Sequence, residues 1–190
     1  MSHKIYTTEA IVCGSRANNT SDKSFLLFTR DAGMLWATAR SVREERSRQR
    51  YALQDFSLIR VSLVRGKGGW RIGSAEGELN YFDDTQSGTR LARAAVAAIV
   101  RLLRQFLHGE IVHGTLFEDT KAALKRAKEE SANQSDLVEI FSLRLLHTLG
   151  YIAVTPELEN YITTKEWWTL PTLPKTAGLA IEKAKQASHL

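Results

Sequence analysis

A change of hydrophobic period near residue 88 constrains this chain more than any other feature. Up to about residue 80, apolar and polar residues alternate in short runs, the two-residue repeat of half-buried strands. From Thr89 onward apolar residues recur every three or four positions, the repeat of an amphipathic helix. Such a chain is expected to fold as a β module followed by an α module.

The strand-like runs are residues 4–13 (KIYTTEAIVC), 23–30 (KSFLLFTR), 34–40 (MLWATAR), 56–65 (FSLIRVSLVR) and 70–76 (WRIGSAE). Asp31-Ala32-Gly33 makes a short hairpin link in which Gly33 supplies a positive φ, and Gly66-Lys67-Gly68-Gly69 makes another. Residues 14–22 are turn-rich, and 41–52 (SVREERSRQRYA) read as a charged loop with room for one helical turn. Laid flat, five such strands would leave long unpaired edges, and closing the sheet into a barrel removes them. An OB-type barrel is the natural candidate. An SH3-like barrel is its main competitor, and alternation alone does not separate the two.

Residues 89–107 contain neither Pro nor Gly, and Leu91, Ala95, Ala98, Ile99, Leu102, Leu103 and Phe106 share helical spacing. Thr115, with Glu118 three residues on, predicts a capping box for a helix running to about Ala127. Ser135 and Asp136 precede a third helix over 137–149, stopped by Gly150. Residues 155–174 hold all three prolines and read as irregular, and 176–187 predict a short last helix. The expected fold class is α+β: a five-stranded OB-type β-barrel in residues 1–82, then an α-helical domain in 83–190.

The net charge of +5 is a mild pointer to an anionic partner, but its placement is sharper. Nine basic residues (Arg40, Arg43, Arg46, Arg48, Arg50, Arg60, Arg65, Lys67, Arg71) stand between positions 40 and 71 against Glu44, Glu45 and Asp55. The rest of the chain is close to neutral. A loop dense in guanidinium groups has no apolar reason to exist, and such groups attract phosphates. The expected DNA contacts are Arg40, Arg43, Arg46, Arg48, Arg50, Arg65, Lys67 and Arg71. Trp36 and Trp70 are candidate base-stacking platforms, each worth ~1–3 kcal/mol per base. The competing reading is a solvated loop with Glu44 and Glu45 as partners and both tryptophans in the core. Nothing in the pattern reads base edges, so little sequence preference is expected.

Other chemistries have weaker support. The single cysteine, Cys13, closes no intrachain disulfide and supports no multi-cysteine zinc site; it sits in an apolar run as a small buried hydrophobe. There is no GxxxxGK[ST] phosphate loop and no GxSxG nucleophile elbow. His108, Glu110 and His113 lie close together, but five-residue histidine spacing does not share a helix face, and the cluster reads as a polar connector. Asp83-Asp84 could begin a two-metal nuclease site, yet no matched carboxylates follow, and with Gln86-Ser87-Gly88 they read as a linker. His147 reads as packed or capping within its helix. No metal, cofactor or catalytic residue is expected. No apolar run approaches the ~20 residues needed to cross a bilayer, and no signal-peptide pattern opens the sequence, so a cytoplasmic, nucleoid-associated protein without a membrane partner is expected.

The stretches TTEAIVCGSR, KSFLLFTRDAGMLWATARSVR and LQDFSLIRVSLVRGKGGWRIGSAE, in that order across residues 5–79, resemble the N-terminal domain of the RecO family of recombination and repair mediators. FSLRLLHTLGY at 141–151 is similar to a helix of that family's helical domain. The resemblance implies an OB fold and a helical domain. It implies binding of single- and double-stranded DNA, annealing of complementary strands and assistance in recombinase loading. It also implies two partners, RecR and the acidic tail of single-strand binding protein. The sequence departs from the family in lacking the cysteine zinc site many members carry and in a shorter region after Tyr151, which bears on partner binding. The alternative function is an OB-fold protein-interaction adaptor for which DNA is incidental. A metal-dependent nuclease using Asp83, Asp84 or His108 ranks below both.

Overall fold

The computed structural model describes residues 5–44, 47–82, 90–129 and 133–187. Five strands, β1 (Ile5–Ala17), β2 (Lys23–Thr29), β3 (Gly33–Ala39), β4 (Ser57–Gly66) and β5 (Gly69–Asn80), form a closed barrel in the order β1-β2-β3-β5-β4. All neighbours are antiparallel except β3 and β5, which run parallel through Ala37↔Trp70 and Thr38↔Arg71. That short parallel seam closes the cylinder.

Alternation selects the interior. Ala10 and Val12, Phe25 and Leu27, Leu35 and Ala37, Ile59, Val61 and Leu63, and Trp70 and Ile72 point inward and are buried. Each large aliphatic side chain among them contributes about 1.5–3 kcal/mol by leaving water. Small inward residues on β3, Ala37 and Ala39, sit where the seam approaches β5. Val42, Ala52 and Leu53 pack onto the same core from the β3–β4 connection, which carries the single turn α1 (Gln49–Ala52).

β1 continues four residues past the run predicted for it. Its register shifts between Val12 and Gly14, and Ser15, Arg16 and Ala17 then pair with Phe25, Ser24 and Lys23. Cys13 therefore sits at a bulge, and Gly14-Ser15 is paired strand and not a turn. The β4–β5 hairpin turns through Lys67-Gly68 between paired Gly66 and Gly69, with Gly69 at φ +102. Gly33, at φ +69, is required twice over: a Cβ there would also lie 2.4 Å from the Ile111 carbonyl oxygen.

The helices are α2 (Arg90–Phe106), α3 (Gly114–Arg126), α4 (Gln134–Thr148), α5 (Glu159–Thr163) and α6 (Lys175–Ala187). α3 begins at Gly114, so Thr115 lies inside it and is not its cap. α4 is capped by Asn133, whose side chain accepts the Asp136 amide, two residues ahead of the position predicted from Ser135. The stretch 155–174 is partly ordered into α5 and a 3-10 turn at Trp167–Thr169. By contact the chain divides into two compact units, Met1–Asp84 with Leu107–Phe117, and Thr85–Phe106 with Glu118–Leu190. In the first, the Met34 amide donates to the Gly109 carbonyl and the Phe28 and Phe117 rings meet edge-on at 5.4 Å. No helix among the described residues is long and apolar enough to cross a membrane.

Candidate nucleic-acid interface

On β3 the residues between the inward Leu35, Ala37 and Ala39 face out, Trp36 and Thr38, and exposed Arg40 follows directly past the strand's end. Strand register extends this row. Thr38 is paired with Arg71 of β5 on one side and Ser24 of β2 on the other, and Ser24 with Arg16 of β1. The Ser24 and Thr38 hydroxyls are 3.0 Å apart, and the Asn18 side chain donates to Ser24 at 2.7 Å. The outer wall formed by β1, β2, β3 and β5 is thus a polar floor flanked by an exposed tryptophan and cations.

Along it runs an open groove of about 690 Å³ lined by Arg40, Lys67 and Arg71 together with Asp22, Thr38 and the hairpin glycines. Arg40 and Arg71 also line its continuation toward Gln49 and Gly73. The Arg71 guanidinium lies against Gly66, where a Cβ would come within 3.1 Å of its Nη2. A second depression is lined by Lys23, Arg43 and Arg50 over Phe25, Val42 and Leu53. The loops framing the wall are tied together. Asp22 accepts from the Ser41 amide at 2.9 Å, and Arg43 donates to Ser21 through no side chain but through its own amide, at 3.1 Å, and to the Asn19 carbonyl through Nη1 at 2.7 Å. Ser41 takes a positive φ of 51° where the chain leaves β3. The Asp22 carboxyl is held below the usual carboxylate range, chiefly by that Ser41 amide, then by the Asn19 side chain, with the Arg40 charge adding to them.

The predicted contacts do not all lie together. Arg40, Lys67 and Arg71 share the groove, and Arg43 and Arg50 share the second depression. Arg48 is exposed at the start of α1, and Arg46 lies outside the described residues, as do Glu45, Asp83 and Asp84. Among the described residues, Arg40, Arg43, Arg48, Arg50, Lys67 and Arg71 form no ion pair. Arg65 is different: it pairs with Glu110 at 2.7 Å and its guanidinium sits 5.2 Å over the Trp70 ring.

The two tryptophans also part. Trp36 is 40% exposed, and the Arg16 guanidinium lies 4.4 Å from its ring centre. Trp70 is 8% exposed, meets Tyr6 edge-on, and donates Nε1–H to Glu110 at 2.9 Å. Trp70 also lines the groove but packs mostly into the barrel core, so of the two Trp36 is the more exposed face. Glu110 serves Arg65 and Trp70 and not a histidine cluster, and no group of three or more metal-ligating side chains occurs among the described residues. Arg16 is the residue that alternation misses, since it becomes a strand residue only once β1 continues beyond its bulge.

Comparison with known proteins adds a family. Residues 1–77 match the family described as Recombination protein O N terminal. The DNA repair protein RecO of Caldanaerobacter subterraneus subsp. tengcongensis is 28% identical over 147 residues, covering 77% of this chain and 59% of that protein. The RecO proteins of a Thermoanaerobacter species (25% over 182 residues, 94% of this chain and 70% of that protein) and of Pelotomaculum thermopropionicum (33% over 152 residues, 80% and 57%) are also similar. The matches to the first and last of these span less than two thirds of the relative's length. The closed five-stranded barrel coincides with the match over residues 1–77, so the N-terminal part of the chain is similar to the RecO N-terminal domain, and the chain as a whole is similar to RecO proteins.

Proposed function

We propose that this chain is a non-enzymatic DNA-binding protein of repair and recombination, holding a single strand along the β1-β2-β3-β5 wall. The observation that carries the reading is the groove in which Arg40, Lys67 and Arg71 converge with no ion pair among the described residues, on the wall that also bears the exposed ring of Trp36. Cations spaced along a groove follow the phosphates, and an aromatic face takes a base without regard to its identity. Arg43 and Arg50, in the neighbouring depression, extend the path, and Arg48 and Arg46 belong to the same loop. Arg16 over Trp36 gives a stacked base a cationic second layer.

Annealing of complementary strands follows from charge alone, since covering phosphates lowers the repulsion between strands and calls for no catalytic group. Help in recombinase loading, with a RecR-like partner and the acidic tail of single-strand binding protein, is proposed on family grounds, as are a cytoplasmic location at the nucleoid and the division of labour between a DNA-binding barrel and a helical domain. The relatives' name, DNA repair protein RecO, supports the role.

The test is fluorescence anisotropy of a labelled single-stranded oligonucleotide at two salt concentrations. Replacing Arg40, Lys67 and Arg71 together by Ala is expected to weaken binding and to flatten the salt slope by about two units, at ~0.7 per phosphate. Trp36→Ala should cost affinity without changing that slope. No binding by the unmodified protein at low salt would leave the barrel as a protein-docking module.

A further inference from the structure

Helix α2 carries a second basic surface, on elements other than the barrel. Arg90, Arg93, Arg101 and Arg104 are all exposed. At 3.6 residues per turn they fall within an arc of about 80° and extend ~21 Å along the axis, one stripe down one face. The opposite face, with Ala92, Val96, Ile99 and Leu103, is buried and supplies the packing. α2 contains no acidic residue, and among the described residues Arg90, Arg101 and Arg104 form no ion pair.

This arrangement works against the helix that bears it. Arg90 with Arg93, and Arg101 with Arg104, are like charges at i,i+3, which repel. Arg90 and Arg93 also stand in the first turn, where the helix dipole disfavours cations, and only Arg104, in the last turn, is favoured by it. A face kept at a cost to its own helix, and returning no packing, calls for an anionic partner. No aromatic residue shares the stripe, since the one aromatic of α2, Phe106, is buried. Charge without stacking suits a polyanion whose bases are already stacked away. A duplex offers one negative charge per ~1.7 Å, so ~21 Å of helix faces roughly a dozen.

We propose that the exposed face of α2 docks on the sugar–phosphate backbone of double-stranded DNA, a site distinct from the single-strand wall of the barrel and independent of that reading. The test uses the full chain and two probes, a hairpin-closed DNA duplex and a single-stranded oligonucleotide. Changing all four arginines to Gln, which keeps helix propensity, is expected to reduce duplex affinity at low salt by about tenfold or more and flatten its salt slope by about three and a half units, at ~0.9 per phosphate. Single-strand affinity should stay within about twofold. Changing all four to Lys should retain duplex binding within about threefold, which separates charge from folding. The Arg40, Lys67 and Arg71 alanine variant should lose single-strand binding and keep the duplex. The α2 site is overturned if the Gln variant binds duplex as the unmodified protein does, if both probes weaken equally, if the Lys variant loses as much as the Gln variant, or if the barrel variant loses the duplex. Failure of the unmodified protein to bind the single strand would sink the barrel reading and leave this one standing.

Discussion

Asp22 is a carboxylate in a groove whose other charged lining residues are cations, and its oxygens hold two loops together. Its Oδ1 accepts the Ser41 amide and its Oδ2 the Asn19 side chain, so the β1–β2 loop is clasped to the exit of β3 just ahead of the arginine-rich loop. Because its folded pKa lies below its ordinary value of 3.8, the clasp contributes fully above that value and is lost as pH falls through the lower, folded one. Hydrogen exchange at the Ser41 amide should accordingly be insensitive to Asp22 titration from pH 8 to 5, intrinsic exchange rates allowed for, with protection failing only in stronger acid. Asp22→Asn keeps an acceptor for Ser41 and removes a charge that competes with phosphate. Single-strand affinity at low salt should therefore rise, by about two- to fivefold, the scale of one exposed charge. A fall in affinity would mean that loop geometry outweighs local charge. At this scale charge density made the arginine-rich loop legible, because a cluster of one sign announces itself along the chain. Arg16 over Trp36 was not legible: the two are twenty residues apart and meet only through the register of three strands. Nor was the engagement of Arg65, since Glu110 reaches it from a segment 45 residues away.

Among the elements, α4 shows how a motif can be readable while its purpose is not. Arg144, in the FSLRLLHTLGY stretch, is buried, and it forks onto both oxygens of Asp119 at 3.0 and 3.1 Å. Its Nη1 also donates to the carbonyls of Tyr161, Ile162 and Thr164, and Trp167 donates Nε1–H to Asp119. One guanidinium therefore ties α3, α4 and the chain around α5 into a single polar knot. Removing one partner of such a pair leaves a buried charge uncompensated, so Asp119→Ala is expected to destabilise by about 3–5 kcal/mol in chemical denaturation. Asp119→Asn should cost less, and Arg144→Lys should approach the cost of Ala because an ammonium cannot reproduce the fork. The same knot accounts for the misreading of residues 155–174. Strands and long helices follow from period alone and each is found where expected, with β1 four residues longer past its bulge and the starts of α3 and α4 shifted. Residues 155–174 carry Pro and no period, and their short helix and 3-10 turn are organised by Arg144 from outside the segment, which local pattern does not report.

For the molecule as a whole, the order of the chain and the order of packing differ. The switch of period near residue 88 separates β from α, but Leu107–Phe117, the α2–α3 connection together with the first turn of α3, belongs by contact to the barrel unit. It supplies the acceptor for the Met34 amide, the ring against Phe28, the carbonyl lying where Gly33 admits no side chain, and the carboxylate shared by Arg65 and Trp70. Phe28 is fully buried although it points away from the barrel interior, so the barrel needs a cover that its own strands do not provide. A fragment ending at residue 82 should thus be markedly less stable than its closed topology suggests. Exposing Phe28 alone forfeits about 1.5–3 kcal/mol, and for a domain of this size each kcal/mol lowers the melting temperature by about 4–8 °C. We expect the fragment to melt at least ~10 °C below the barrel transition of the full chain, and to bind a hydrophobic dye. Phe117→Ala in the full chain should lower the barrel transition in the same direction, because it removes the ring that covers Phe28 while leaving the chain intact. If the fragment instead melts with the full chain, the barrel is self-sufficient and the 107–117 segment is a passenger on it; if only Phe117→Ala is destabilising, the loss lies within α3 and not at the barrel wall.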